Sequence, residues 1–160
     1  MLTLTSSAFE NNETIPSKYT CDGDGELSPP LLIGGVPDGT KSLVLIMDDP
    51  DIPQVFKDSR GIDAFDHWVL FNIPPETREI GEGASTQNIF SAGLNGAGKI
   101  EYARPCPPPQ YEPREHRYIF SLYALSDILH FDNVPTAEKV RDELKPILIA
   151  ETKLVGRYAR

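Results

Sequence analysis

Proline placement constrains this 160-residue chain more than any other feature, because 15 prolines and 12 glycines leave few long uninterrupted segments. Each proline fixes φ and removes a backbone donor, so neither a helix interior nor a central strand runs through one. A helical bundle is excluded on that ground. The prolines gather around positions 29–37, 50–53, 74–75 and 105–113. That is the pattern of loops between strands, whereas a low-complexity linker spreads or repeats them. Three β-rich apolar runs fill the gaps: Ser42–Met47, closed by Asp48-Asp49-Pro50; His67–Ile73, stopped by Pro74-Pro75; and Arg117–Leu125. They read as buried strands, the first as the central one. Weaker strands are expected at Leu2–Thr5, Leu31–Ile33 and Lys153–Tyr158. One stretch has helical spacing, with Thr136 as cap, Glu138 in the first turn, and Ala137, Val140 and Leu144 on one face. Pro146 ends it, with a second short turn expected over 147–150. The stretches 50–66 and 83–116 read as long loops, where functional groups concentrate.

Fifteen Lys and Arg against 24 Asp and Glu give a formal charge of −9. This disfavours a nucleic-acid partner, which needs a basic stripe to release counterions. The longest apolar run, Leu43–Met47, is far short of the ~20 residues that span a bilayer. With no composition break or repeat, residues 1–160 read as one domain. The first residues carry no basic and apolar leader pattern, so a cytoplasmic setting is expected. In such a compartment Cys21 and Cys106, lacking a CxxC spacing, are expected to be free thiols, with a pairing across the fold left open.

Asp49 and Asp51 follow the central strand, and in extended backbone both carboxylates face one side. His67 opens the second strand and shares its face with Val69 and Phe71; His116 opens the third and shares its face with Tyr118 and Phe120. His130, between Leu129 and Phe131, reads as a packing residue. Carboxylates and imidazoles can ligate metals, but no pair has a spacing that sets two ligands on one helix face. No metal or cofactor is expected. There is no G-x-S-x-G elbow or P-loop, and the glycine-rich 93–98 stretch precedes no helix, so it reads poorly as a phosphate cradle.

Four motifs in order resemble the phosphatidylethanolamine-binding protein family, also called Raf kinase inhibitor proteins, and especially its bacterial and archaeal branch. They are Asp49-Pro50-Asp51-x-Pro53, His67-Trp68-Val69-x-x-Asn72-Ile73-Pro74, Tyr102-x-x-Pro105-Cys106-Pro107-Pro108, and His116-Arg117-Tyr118-x-Phe120. Flanking segments, Ile15-Pro16-x-x-Tyr19-Thr20-Cys21-Asp22-Gly23 and Leu154-Val155-Gly156-x-Tyr158, extend the likeness over essentially the whole chain. The resemblance implies a mainly β, β-sandwich-like fold with a central antiparallel sheet and short C-terminal helices. It also implies an anion pocket formed by Asp49, His67, Pro105, His116 and Tyr118, with Asp51 and Pro53 shaping its rim. Its implied ligands are phosphate-like groups, including phosphorylethanolamine headgroups and phosphorylated side chains, bound without a metal. Glu101 and Arg104 stand where family members usually carry glycines.

The reading that follows is a non-enzymatic binding or regulatory protein, expected as a homodimer by resemblance only. Charged histidines are the expected anion donors, so binding should be stronger near pH 6 than pH 8. A second reading is a protein-protein regulator that inhibits a kinase or protease. A third, a phosphoester hydrolase using Asp49, His67 and His116, lacks a nucleophile placed beside a base.

Overall fold

The computed structural model describes residues 1–160 as two antiparallel sheets and one packed helix. Strands β1 (Thr3–Thr5), β2 (Leu31–Gly34) and β5 (Glu79–Ile80) form the small sheet, in the order β1-β2-β5. The large sheet has the order β6-β4-β3-β7-β8, from Ser91–Ala92, Phe65–Ile73, Ser42–Asp49, Glu115–Leu125 and Leu148–Ala159. The three strong apolar runs thus become β3, β4 and β7, adjacent in the middle of the large sheet. Alternation along them sends side chains to two cores. Leu43, Leu45, Met47, Trp68, Leu70, Tyr118, Phe120 and Leu122 meet the small sheet's Leu4, Leu31, Ile33 and Ile80. Val44, Ile46 and Val69 face the other way, onto Ala137, Val140 and Leu144 of helix α2 (Ala137–Leu144). Burial on both faces explains why β3 is continuously apolar. No helix is long and apolar enough to cross a membrane.

The Thr136 hydroxyl accepts the Lys139 N–H at 3.2 Å, capping α2 as expected. Other elements depart from expectation. A helix, α1 (Gln54–Arg60), interrupts the stretch read as a loop. It buries no residue and so has no apolar period; its only signals are Pro53 before it and left-handed Gly61 after it. The turn expected over 147–150 lies at Lys145–Ile147, and β8 starts directly at Leu148, because pairing with β7 extends the strand. His130 is exposed rather than packed, since neighbouring Leu129 takes the inward position. Cys21 and Cys106 are bridged, not free, with Cα atoms 5.4 Å apart: the sheets bring together two loops 85 residues distant.

Candidate functional site

Asp49, His67, His116 and Tyr118 converge on one cavity of about 280 Å³, at the end of the large sheet where β3 stops and β4 and β7 start. Its walls are Ile52, Pro53 and Phe56 from the β3–α1 turn and helix, Phe65 from β4, and Ala103, Arg104, Cys106, Pro107 and Pro108 from the proline-rich loop.

His67 reaches this cavity through a β-bulge. The β3–β4 register steps from Met47↔Trp68 to Asp48↔Asp66, leaving His67 as the extra residue. A bulge puts two consecutive side chains on one side of the sheet. His67 therefore joins Trp68 on the main-core side, edge-on to Tyr118 at 5.2 Å and to Phe65 at 4.9 Å. This corrects the expectation that it shares a face with Val69 and Phe71, which rest on the α2 side. Behind the bulge Asp48 and Asp66 sit opposite each other, and the Arg141 guanidinium from α2 donates to both, at 3.0 and 2.8 Å.

Both imidazoles are held through Nδ1. His67 Nδ1 lies 2.6 Å from the Ala103 carbonyl, and a carbonyl only accepts, so this nitrogen carries the proton. The Ala103 N–H in turn donates to the His67 carbonyl at 2.8 Å, pinning the loop to β4. His116 Nδ1 donates to Asp49 Oδ2 at 2.6 Å, in a pair almost wholly buried. The other Asp49 oxygen accepts the Asp51 N–H at 2.8 Å, as an aspartate opening a turn does. Each ring then has Nε2 left for a ligand, and His116 Nε2 is buried with no partner at all. Burial holds His67 below the ordinary histidine pKa, despite the Ala103 carbonyl and Asp49 pulling the other way. Burial likewise pushes the Tyr118 phenol well above the usual tyrosine range, so it stays a hydroxyl donor.

Two residues expected around the pocket stand outside its lining. Asp51 turns away: its carboxylate accepts from Arg117 Nε at 2.8 Å, from Nη2 at 2.9 Å and from the Arg117 N–H at 2.8 Å. The turn fixed by Asp49 reverses the chain before Asp51, so the extended-strand geometry ends one residue too early. Pro105 is buried behind the wall, its carbonyl accepting the Cys21 N–H at 3.0 Å. Arg104 does line the cavity, and its guanidinium donates to the Gly25 carbonyl at 3.3 Å. The apolar walls Phe56 and Phe65 were not anticipated. For Phe65 a signal existed in the glycine-rich stretch: a Cβ on Gly96 would lie 2.6 Å from the Phe65 ring. Gly93 and Gly96 serve close packing, and Gly98 supplies a left-handed turn residue at φ +75°. No three His, Cys, Asp or Glu side chains come together as a metal site.

Comparison with known proteins agrees with this arrangement of motifs. The family model described as phosphatidylethanolamine-binding protein matches residues 5–159. A UPF0098 protein of Chlamydia trachomatis is 42% identical over 159 residues, 98% of each chain. A crystal structure of a phosphatidylethanolamine-binding protein homolog from the same species superposes with a TM-score of 0.88 at 40% identity, covering 99% of this chain and 97% of that one. Escherichia coli YbcL, described as a member of the mammalian family, has a TM-score of 0.84 at 25% identity, with 99% and 98% covered.

Proposed function

We propose, from the premise that this chain belongs to the phosphatidylethanolamine-binding protein family, that its cavity is a non-catalytic binding site for a phosphate-like group. The observation that carries this reading is the set of polar groups left over on the cavity residues. Nε2 of His67, Nε2 of His116 and the Tyr118 hydroxyl make no hydrogen bond within the protein, while every other polar atom of those side chains and of Asp49 is engaged. Of the three, His116 Nε2 is fully buried, and leaving a buried polar atom without a partner is costly; an oxyanion that arrives with a proton relieves that cost.

The tautomers change the expected chemistry. Because both Nδ1 atoms donate inward, a neutral ring offers Nε2 only as an acceptor. An anion binds there when a proton comes with it, either on the ring or on the phosphate itself. Burial disfavours the charged form of the His67 ring. Binding therefore takes up a proton, and affinity falls by up to about tenfold per pH unit above the titration. The direction matches the expectation of tighter binding near pH 6, but the charge arrives with the ligand. The same geometry argues for binding over hydrolysis: His116 has the aspartate-held orientation of a general base, yet no hydroxyl or thiol contacts its Nε2.

The test is an NMR titration with inorganic phosphate and O-phosphorylethanolamine, following His67, His116 and Tyr118, alongside a phosphoester turnover assay. Saturable shifts at these residues without turnover, lost in His67→Ala, support the reading. Turnover abolished by His67→Ala would replace it with the hydrolase, and an unresponsive site would remove it.

A further inference from the structure

We propose that the Cys21–Cys106 disulfide is a second reactive site, one that exchanges with a dithiol and thereby sets the order of the cavity wall. The wall from 101 to 111 contains no helix or strand, so crosslinks must hold it. On the β4 side they include the two His67–Ala103 hydrogen bonds and the Asn95 amide on the Glu101 carbonyl; on the far side they include the Tyr102 hydroxyl on the Tyr19 carbonyl at 2.8 Å, the Cys21 N–H on the Pro105 carbonyl, Arg104 on the Gly25 carbonyl, and the disulfide. The disulfide is the only covalent one, and Cys106 itself lines the cavity.

The bridge is placed to react. Cys106 is solvent-exposed and Cys21 half-buried, in contrast to a disulfide sealed in a core. The Arg160 guanidinium lies 3.6 Å from Cys106 Sγ while also pairing with Asp22 at 3.1 Å, and Asp22 is held by the Tyr158 hydroxyl. A fixed cation beside one sulfur stabilises the thiolate that leaves from it. In the forward step a dithiol's thiolate attacks Cys21 Sγ, forming a mixed disulfide. The Cys21–Cys106 bond breaks, and its electron pair departs on Cys106 Sγ beside Arg160. The dithiol's second thiol then attacks its own sulfur in the mixed disulfide and releases Cys21. The chain gains two electrons and two protons, and the dithiol becomes a cyclic disulfide. Redox-responsive bridges are the kind that occur in reducing compartments, so this site also accommodates the cytoplasmic setting expected from the sequence.

Loss of the bridge leaves the Arg104–Pro108 wall held without a covalent tie, by hydrogen bonds and by the packing of buried Pro105 and Pro107. Preorganisation is lost, and anion affinity falls by about tenfold; this consequence rests on the proposed phosphate site, whereas the loosening of the wall does not. The experiment compares oxidised chain, chain reduced with dithiothreitol, and Cys21→Ser/Cys106→Ser by amide exchange and by calorimetry with inorganic phosphate. Exchange should rise at 19–23 and 101–111 on reduction while β3 and β7 stay protected, with the double variant matching the reduced chain and insensitive to dithiothreitol. Arg160→Met should slow reduction severalfold. Unchanged exchange in the wall, or a uniform loss of protection that includes β3 and β7, overturns the proposal. Phosphate binding absent in both redox states, with the wall still loosening, would sink the phosphate reading and leave the redox site standing. Equal phosphate affinity in both states would remove the coupling.

Discussion

Replacing Arg141 by methionine keeps an unbranched side-chain stem and deletes the charge that holds Asp48 and Asp66 behind the His67 bulge. The three side chains are between 23% and 32% exposed, with Nη2 at 3.0 and 2.8 Å from the two carboxylates. At an effective dielectric of ~20 each contact attracts by about 6 kcal/mol, most of it offset by desolvation and by repulsion between the aspartates. Exposed pairs are worth ~0–1 kcal/mol and breaking buried ones costs ~3–5, so a half-buried bridge to two carboxylates should cost about 2–3 kcal/mol. The loss has a signature in pH. Burial already holds Asp48 above the ordinary carboxylate range, with Arg141 pulling it down. A folded pKa above the unfolded value means the ionised group opposes folding at neutral pH, and the opposition vanishes as pH falls from the raised value to about 3.9. Without Arg141 the Asp48 pKa rises further, so the deficit of the variant should be largest near neutrality and shrink toward about pH 4.5. Urea denaturation of both proteins at the two pH values measures it, and the His67 Nδ1 proton resonance should move because the bulge relaxes. A deficit below about 0.5 kcal/mol, or one equal at both pH values, would refute the clamp.

Two other variants are decided by the same geometry, and a third outcome rests on the family resemblance. Gly96→Ala pushes a methyl to within 2.6–3.0 Å of three Phe65 ring atoms, so stability should fall by about 1–3 kcal/mol and the His67 ring signals should shift; a thermal melt and one NMR spectrum decide. Asp51→Asn should leave phosphate affinity within about twofold, because Asp51 lies outside the cavity lining, and a calorimetric titration checks this. Arg117 holds Asp51 below the ordinary carboxylate range, a contribution present above the unfolded pKa and lost as pH falls through the folded one; Asp51→Asn should erase that part of the acid sensitivity. Light scattering should give twice the chain mass, the homodimer expected by resemblance, and a single chain mass would dismiss it.

Strands β3, β4 and β7 were readable because an apolar run bounded by Asp-Pro or Pro-Pro has few other solutions. Helix α1 was not, since it buries nothing and hydrophobic periodicity has nothing to register. The site divides the same way. His116, Tyr118 and Phe120 alternate regularly, so one face could be read directly. His67 lies on a bulge, and a one-residue insertion relative to the partner strand inverts the face without leaving a local mark. Asp51 was misplaced because extended alternation was carried one residue past the turn that Asp49 itself creates. The disulfide depended on contacts between loops 85 residues apart, which spacing alone does not encode.

The central claim is that the two imidazoles, committed inward through Nδ1, bind a phosphate-like anion only together with a proton. Calorimetry of inorganic phosphate in buffers of different ionisation enthalpy measures that proton directly, once the phosphate's own titration is subtracted. Net uptake that grows between about pH 6 and 8, together with loss of binding in His67→Ala, is the predicted result. Binding that releases or ignores protons, or that survives the loss of His67 unchanged, would contradict it.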